Sequence, residues 1–328
     1  EATSNLAHRA SAPPRDPSVA RSRSTLAQLV DARRVKPAVP PFSALPRYRR
    51  MKSVRLPLFA TAFTLLSSLP AQAEDWPTWR GPSGAGLARG AQPPTTWSDT
   101  ENIKWKAKVP GQGFSTPIVW KDRIYLLTSI ETDESVAPAP AAGPSVPPAG
   151  GEKGKGGKRG GFGGGTKPTK FHEFAIVALD RATGATVWQK TARREVPHEG
   201  RHPTNSFASG SPVTDGEHLY VSFGSRGLYC YDLQGNLKWE KDLGDMKTRN
   251  GFGEGASPAL AGPHLIVPWD HEEQSFVVAL DKKTGAEVWR KDRQERSYWS
   301  TPLIVEVAGR LQAIIPASTR TRSYDTAT

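Results

Sequence analysis

The segment ALDRATGATVW, residues 178–188, returns 101 residues later as ALDKKTGAEVW, residues 279–289, with eight of eleven positions identical. A shorter version, CYDLQGNLKW, lies between them at 230–239, and SYDTAT, 323–328, opens a fourth. Aligned on the acid, the series is Asp180, Asp232, Asp281 and Asp325, with spacings of 52, 49 and 44. Such a period, with several short apolar runs inside it, restricts the chain to repeat architectures.

Each unit reads as four strands. A Ser/Thr-Pro pair precedes every Asp motif: Thr116-Pro117, Ser211-Pro212, Ser257-Pro258 and Thr301-Pro302. An apolar run stands between pair and motif: RIYLLTS, HLYVSFG, HLIVPWD and LQAIIPA. Proline donates no ladder hydrogen bond, so it belongs at a sheet edge. Asp closes the third strand by accepting from its own turn amides. Gly184, Gly235 and Gly285 supply the left-handed backbone of a tight hairpin. Trp188, Trp239 and Trp289 fall on the fourth strand, where a large apolar face fills the wedge between neighbouring sheets. Radially arranged four-stranded sheets of this kind make a β-propeller. The expected fold is therefore all-β, with Trp105 in NIKWKAKVP (102–110) on an N-terminal closing strand. About 3.5 blades are expected besides that strand, which implies a fragment.

Three stretches fall outside this pattern. Residues 1–50 are rich in Arg, Ala and Pro without periodicity and have no expected role in the fold. MKSVRLPLFATAFTLLSSLPAQA, residues 51–73, has basic residues, a 14-residue apolar stretch and an A-x-A ending, the form of a signal peptide cleaved near Ala73. That apolar stretch falls short of the roughly 20 residues a spanning helix needs. The mature domain is thus expected over 74–328, periplasmic or secreted, with no transmembrane segment. Residues 131–170 interrupt the first blade, and 10 of the 16 residues 150–165 are Gly, a composition that buries too little to order itself.

The formal charge of +12 invites a nucleic-acid reading, and its distribution removes it. Residues 1–73 hold 12 Lys+Arg against 3 Asp+Glu, and the remainder holds 32 against 29. Six of those bases and three of those acids lie in 133–170, which leaves 26 against 26 for the propeller. Cys230, the single cysteine, excludes an intrachain disulfide and sits in an alternating strand pattern as a small buried hydrophobe.

The A-x-D-x-x-T-G-x-x-x-W motif resembles the repeat of pyrroloquinoline quinone (PQQ)-type propellers, the quinoprotein dehydrogenase-like superfamily. EDWPTWRGPSGAG, at the mature start, and TNSFASGSPVTDGEHLYVSFGSRGLYCYDLQGNLKWEKDL are similar to exported PQQ-binding-like propeller proteins. That resemblance implies two functional branches. Quinoprotein dehydrogenases use PQQ and calcium, with an Asp base, an Asn/Glu/Asp calcium set and adjacent cysteines in a disulfide that Cys230 alone cannot make. The other branch is related to BamB, a lipoprotein scaffold of outer-membrane protein assembly; no Cys follows the signal here to carry a lipid.

A site is expected where loops meet over the channel. Candidates for ligand or cofactor contact are His202, Asn205, Arg249, Asn250, Glu254, Arg296 and Trp299, with an aromatic before each Pro pair: Phe114, Phe207, Phe252 and Trp299. Asp270 and Glu272 in WDHEEQ are hard-ligand types for calcium, though consecutive residues rarely face one ion. Asp180, Asp232, Asp281 and Asp325 are turn residues, so no catalytic residue is assigned. The expected function is a non-catalytic binding or scaffold module contacting envelope proteins or a small ligand, with no assigned cofactor. The alternative is a PQQ- and calcium-dependent alcohol or sugar dehydrogenase.

Overall fold

Asp180 ends a strand because its carboxylate turns the chain. In the computed structural model, which describes residues 74–136 and 164–328, Asp180 Oδ1 accepts from the Ala182 and Thr183 amides and the Thr183 hydroxyl at 2.8–3.0 Å. Asp281 holds the same three bonds to Lys283 and Thr284. Asp232 makes the shorter version with the amides of Gln234 and Asn236. These bonds favour the ionised carboxylate, and the threonine hydroxyls hold Asp180 and Asp281 below the usual carboxylate range. Gly184, Gly235 and Gly285 follow with φ of 75°, 84° and 72°.

The first sheet contains β1 (Ile118–Trp120), β2 (Arg123–Ser135), β3 (Lys170–Asp180) and β4 (Thr186–Glu195). The second contains β5 (Val213–Thr214), β6 (His218–Ser222), β7 (Leu228–Asp232) and β8 (Leu237–Lys241). The third contains β9 (Ala259–Ala261), β10 (His264–Trp269), β11 (Ser275–Asp281) and β12 (Glu287–Arg293). The fourth has three strands, β13 (Leu303–Val307), β14 (Arg310–Ile315) and β15 (Arg322–Asp325). Strands pair antiparallel in chain order within each sheet. The protein is an all-β partial propeller, with the proline-led strand of each blade at a sheet edge.

The middle strands are apolar at consecutive positions because both of their faces are covered. Leu219 and Val221 of β6 face the first blade in a core with Tyr125, Leu127 and Phe174. Tyr220, between them, faces the third blade in a core with Cys230, Leu265 and Leu280. Ile266, Val277 and Ala279 join Ala313 and Ile315 between the third and fourth blades. Successive side chains of one strand thus feed two different cores. Cys230 is free and fully buried, and burial pushes its thiol up to about 12.

A bulge aims each tryptophan. The register slips between Ala178 and Leu179, between Cys230 and Tyr231, and between Ala279 and Leu280. Each slip leaves one extra residue on the outer strand just before the Trp, a device that redirects a side chain. The indole then crosses to the next blade. Trp105 donates to Arg181 O at 3.1 Å, Trp188 to Leu233 O at 3.2 Å, Trp239 to Lys282 O at 3.0 Å and Trp289 to Thr326 O at 3.1 Å. Every acceptor is the residue after the motif Asp. The turn Gly lies beneath the ring: a Cβ on Gly285 would stand 2.8 Å from Trp239 Cδ2, and one on Gly184 would stand 2.5 Å from Trp105 Cε3.

The Ser/Thr of each Ser/Thr-Pro pair has a role that sequence reasoning missed. The amide of Thr116 donates to Ser211 Oγ at 2.9 Å, that of Ser211 to Ser257 Oγ at 2.8 Å, and that of Ser257 to Thr301 Oγ1 at 3.3 Å. A chain of hydroxyls therefore passes from blade to blade along the channel side.

Two expectations change. Residues 102–110 place Trp105 as expected but form no strand, because no neighbouring strand among the described residues pairs with them. The first blade also extends further than expected. β2 continues to Ser135, the Val136 amide donates to Thr169 O at 2.9 Å, and Gly164 and Gly165 donate to Asn250 O and Arg201 O. The remainder of the 131–170 insert, residues 1–50 and the signal-like segment 51–73 lie outside the described residues.

Candidate functional site

The strand order brings two classes of loop to one face: those entering each inner strand and those joining second to third strands. Residues 196–212 and 242–258 are consecutive loops of the first class, and 223–227 belongs to the second. They meet around a small cavity of about 40 Å³. Phe174, Phe223 and Trp269 form apolar wall, while His198, Glu199, Arg226 and Glu254 supply polar groups.

Glu254 accepts from the Ser225 amide at 2.7 Å and the Ser225 hydroxyl at 2.5 Å. Burial outweighs those bonds and pushes the carboxyl up to about 7. Glu199 accepts from the Thr248 amide at 3.1 Å and from its hydroxyl. His198 Nε2 lies 2.6 Å from Met246 O, and its Nδ1 lies 3.1 Å from Arg226 Nη2 and 3.8 Å from Asp245 Oδ1. Arg226 is 7% exposed and pairs with both Glu195 and Asp245. One ligand-type atom each of His198, Glu199 and Glu254 lies within 4.8 Å of the other two.

Of the residues singled out in the sequence, Asn205 and Glu254 meet at this place. Asn205 Nδ2 donates to Phe252 O at 2.8 Å and Glu254 O at 3.2 Å, while its Oδ1 accepts from Ser206 and Ser209. The amide is fully committed to joining two blades. Trp299 Nε1 donates to Gly253 O at 2.7 Å and its ring tilts against Phe252 at 6.4 Å, leaving the indole 40% exposed. His202 packs edge-on to Phe252 and holds Thr204 through Nδ1. Asn250 adopts φ 54° and offers its carbonyl to Gly164. The backbone amides of Arg249 and Arg296 donate to Ser297 Oγ and Ser318 Oγ, and both residues are exposed.

Asp270 and Glu272 do not converge. Asp270 makes a two-pronged pair with Arg293 at 2.7 and 2.9 Å, and Arg293 also donates to Tyr324 Oη at 2.6 Å. Glu272 accepts from the Ser297 amide at 3.2 Å, and His271 between them bonds Gln274 O through Nε2. His198, Glu199 and Arg226 escaped sequence reasoning. His198 and Glu199 lie in the VPHEGRHP loop assigned to this face, but their partner is 55 residues away, and no fixed spacing marks such a set.

A second, larger cleft of about 420 Å³ lies along the inner strands. The Ser/Thr-Pro pairs of three blades and the Thr78–Gly84 segment line it. That segment is held by the antiparallel bridge of Trp76 with Val119 and by the Thr214 amide donating to Pro77 O at 3.0 Å. Arg80 stacks on Trp79 at its mouth, 4.8 Å from the ring centroid.

The Asp–Gly turn and the indole clasp repeat from blade to blade of this partial β-propeller. Residues 172–328 match the family model described as outer membrane protein assembly factor BamB. Among solved structures, the chain is similar to a quinohemoprotein alcohol dehydrogenase from Pseudomonas putida, at 16% identity and TM-score 0.32, covering 57% of this chain and 22% of that one. It is similar to BamB from Moraxella catarrhalis at 18% identity and TM-score 0.28, covering 50% and 46%. A quinohemoprotein alcohol dehydrogenase from Comamonas testosteroni gives 12% identity and TM-score 0.35, covering 66% and 27%. The chain thus spans less than half the length of each of these structures. No curated protein matches it. No helix among the described residues is long and apolar enough to cross a membrane.

Proposed function

We propose that this chain is an exported, non-catalytic propeller module that binds envelope proteins through its channel face. One observation carries the reading: the polar side chains at the loop junctions are engaged in joining blades, while the exposed groups are contact types. Asn205 and Glu199 bridge consecutive loops. Tyr298, Trp299, Arg249 and Arg296 remain exposed on that face, and aromatic and Arg side chains are the types enriched at interfaces. The family model's description, a factor of outer-membrane protein assembly, agrees with a binding role in the cell envelope. Export rests on the signal-like segment 51–73.

The test is a photo-crosslinker placed at 296 or 299 in the full-length protein, compared with one at Leu237 on an outer strand. Crosslinks to a defined envelope protein confined to the channel face support the proposal. Equal labelling from both places, or none from either, overturns it.

The dehydrogenase alternative requires PQQ and calcium. A cavity of about 40 Å³ holds about three waters, since one needs roughly 10–15 Å³. Its inward carboxylates, Glu199 and Glu254, oppose an anionic quinone, and Arg226 is already paired. The larger cleft has no acidic residue among those lining it to hold calcium. These features of the described residues favour the binding reading. Dye reduction after adding PQQ and calcium to the full-length protein would establish the enzyme reading.

A further inference from the structure

We infer that His198, Glu199 and Glu254 form a binding site for a divalent transition-metal ion between the second and third blades. This inference goes beyond the scaffold reading and does not depend on it. Three ligand-type atoms lie within 4.8 Å of one another, close enough to share one ion. They come from two loops that Asn205 and the Glu199–Thr248 bonds already fix together, so the set is organised by the fold. All three residues line the cavity of about 40 Å³, which leaves space for an ion and waters to complete its shell.

Charge and ligand type point the same way. Two carboxylates face one cavity, and Arg226 is shared with Glu195 and Asp245. Glu199 Oε2 and both Glu254 oxygens keep a lone pair beyond the bond each accepts from Thr248 or Ser225. Nε2–H of His198 donates to Met246 O at 2.6 Å, which leaves Nδ1 as the nitrogen that takes the metal in place of its 3.1 Å contact with Arg226. Such outer partners fix the ring's orientation in metal sites. An imidazole with two carboxylates suits zinc, manganese or iron(II) better than calcium, which takes six to eight oxygens.

The test uses untagged full-length protein, stripped of metal and titrated separately with Zn²⁺, Mn²⁺ and Ca²⁺. One equivalent of Zn²⁺ or Mn²⁺ should bind, with Ca²⁺ at least about 10-fold weaker. His198→Ala and Glu254→Gln should each weaken binding by about 10-fold or more. Because either variant could disturb the loops, the wild-type protein supplies an independent readout: bound Mn²⁺ should show nitrogen hyperfine coupling from one imidazole. Absence of stoichiometric Zn²⁺ or Mn²⁺ binding, a manganese spectrum without nitrogen coupling, or undiminished binding in both variants overturns the inference.

Discussion

Replacing Gly285 by Ala separates the two demands placed on the motif glycine. Gly285 has φ 72°, and Gly309, in the β13–β14 hairpin, has φ 75°. An Ala at either position carries the same left-handed strain, about 1–2 kcal/mol. Only at Gly285 does the new methyl meet a neighbour: Trp239 Cδ2 and Cε3 would each be 2.8 Å away, whereas nothing lies within 4 Å of a Cβ on Gly309. The indole cannot retreat freely, because its Nε1 is bonded to Lys282 O at 3.0 Å and its ring is 9% exposed in the core. Overpacking there costs about 1–3 kcal/mol. A weakened indole bond adds about 1 kcal/mol. Gly285→Ala should therefore lose about 3–6 kcal/mol in urea unfolding, and Gly309→Ala about 1–2 kcal/mol. In a Trp239→Ala background the excess at Gly285 should vanish, giving a coupling of about 2 kcal/mol. Equal losses at Gly285 and Gly309, or full additivity with Trp239→Ala, would refute the clasp.

Other outcomes follow from the same contacts. Ser211→Ala and Ser257→Ala each strip the acceptor from an amide of the preceding blade, Thr116 or Ser211, and should cost about 1–3 kcal/mol by denaturant midpoint. Asp270→Asn leaves Arg293, whose side chain is 0% exposed, without its counter-charge; a loss of about 3–5 kcal/mol is expected, with partial recovery when Arg293→Met is added. Burial alone would raise Asp215, but Lys282 at 2.8 Å and the amides of His218 and Glu217 outweigh it and hold the carboxyl at about 2. Its folded pKa lies below the unfolded value, so this contribution is complete above about pH 4 and is lost as pH falls toward 2. Urea midpoints should record a loss of about 2 kcal/mol across that window. Asp215→Asn should remove this share of the acid-dependent loss and leave the share from other carboxylates held low, such as Asp180 and Asp281.

The fold was legible because its repeated residues have one physical reading each. Asp followed by Thr-Gly makes a turn whatever surrounds it, and a Trp at fixed distance beyond must land on the next strand. The hydroxyls of Ser211 and Ser257 were harder, since a Ser before Pro is equally at home facing water. Residues 102–110 carry the correct Trp yet form no strand, because strand formation needs a neighbour and side-chain pattern alone does not supply one. The His198–Glu199–Glu254 cluster was the least legible. It joins one blade's loop to another's through backbone folding, and only Glu254 drew attention in the sequence. Asp270 reads in the sequence as a charged turn or a hard-ligand type, because its actual partner, a buried Arg 23 positions later, leaves no local mark.

The indole-to-carbonyl bond recurs with the same donor and the same relative acceptor at four successive junctions. Each module therefore carries both halves of its own coupling: a plug on the trailing side and a socket on the leading side. Duplicating one module in a gene creates a joint that already fits, with no second mutation required to match it. Arrays of this kind can lengthen or shorten by whole units while every interior joint keeps its chemistry, and only the two terminal faces must find a different solution.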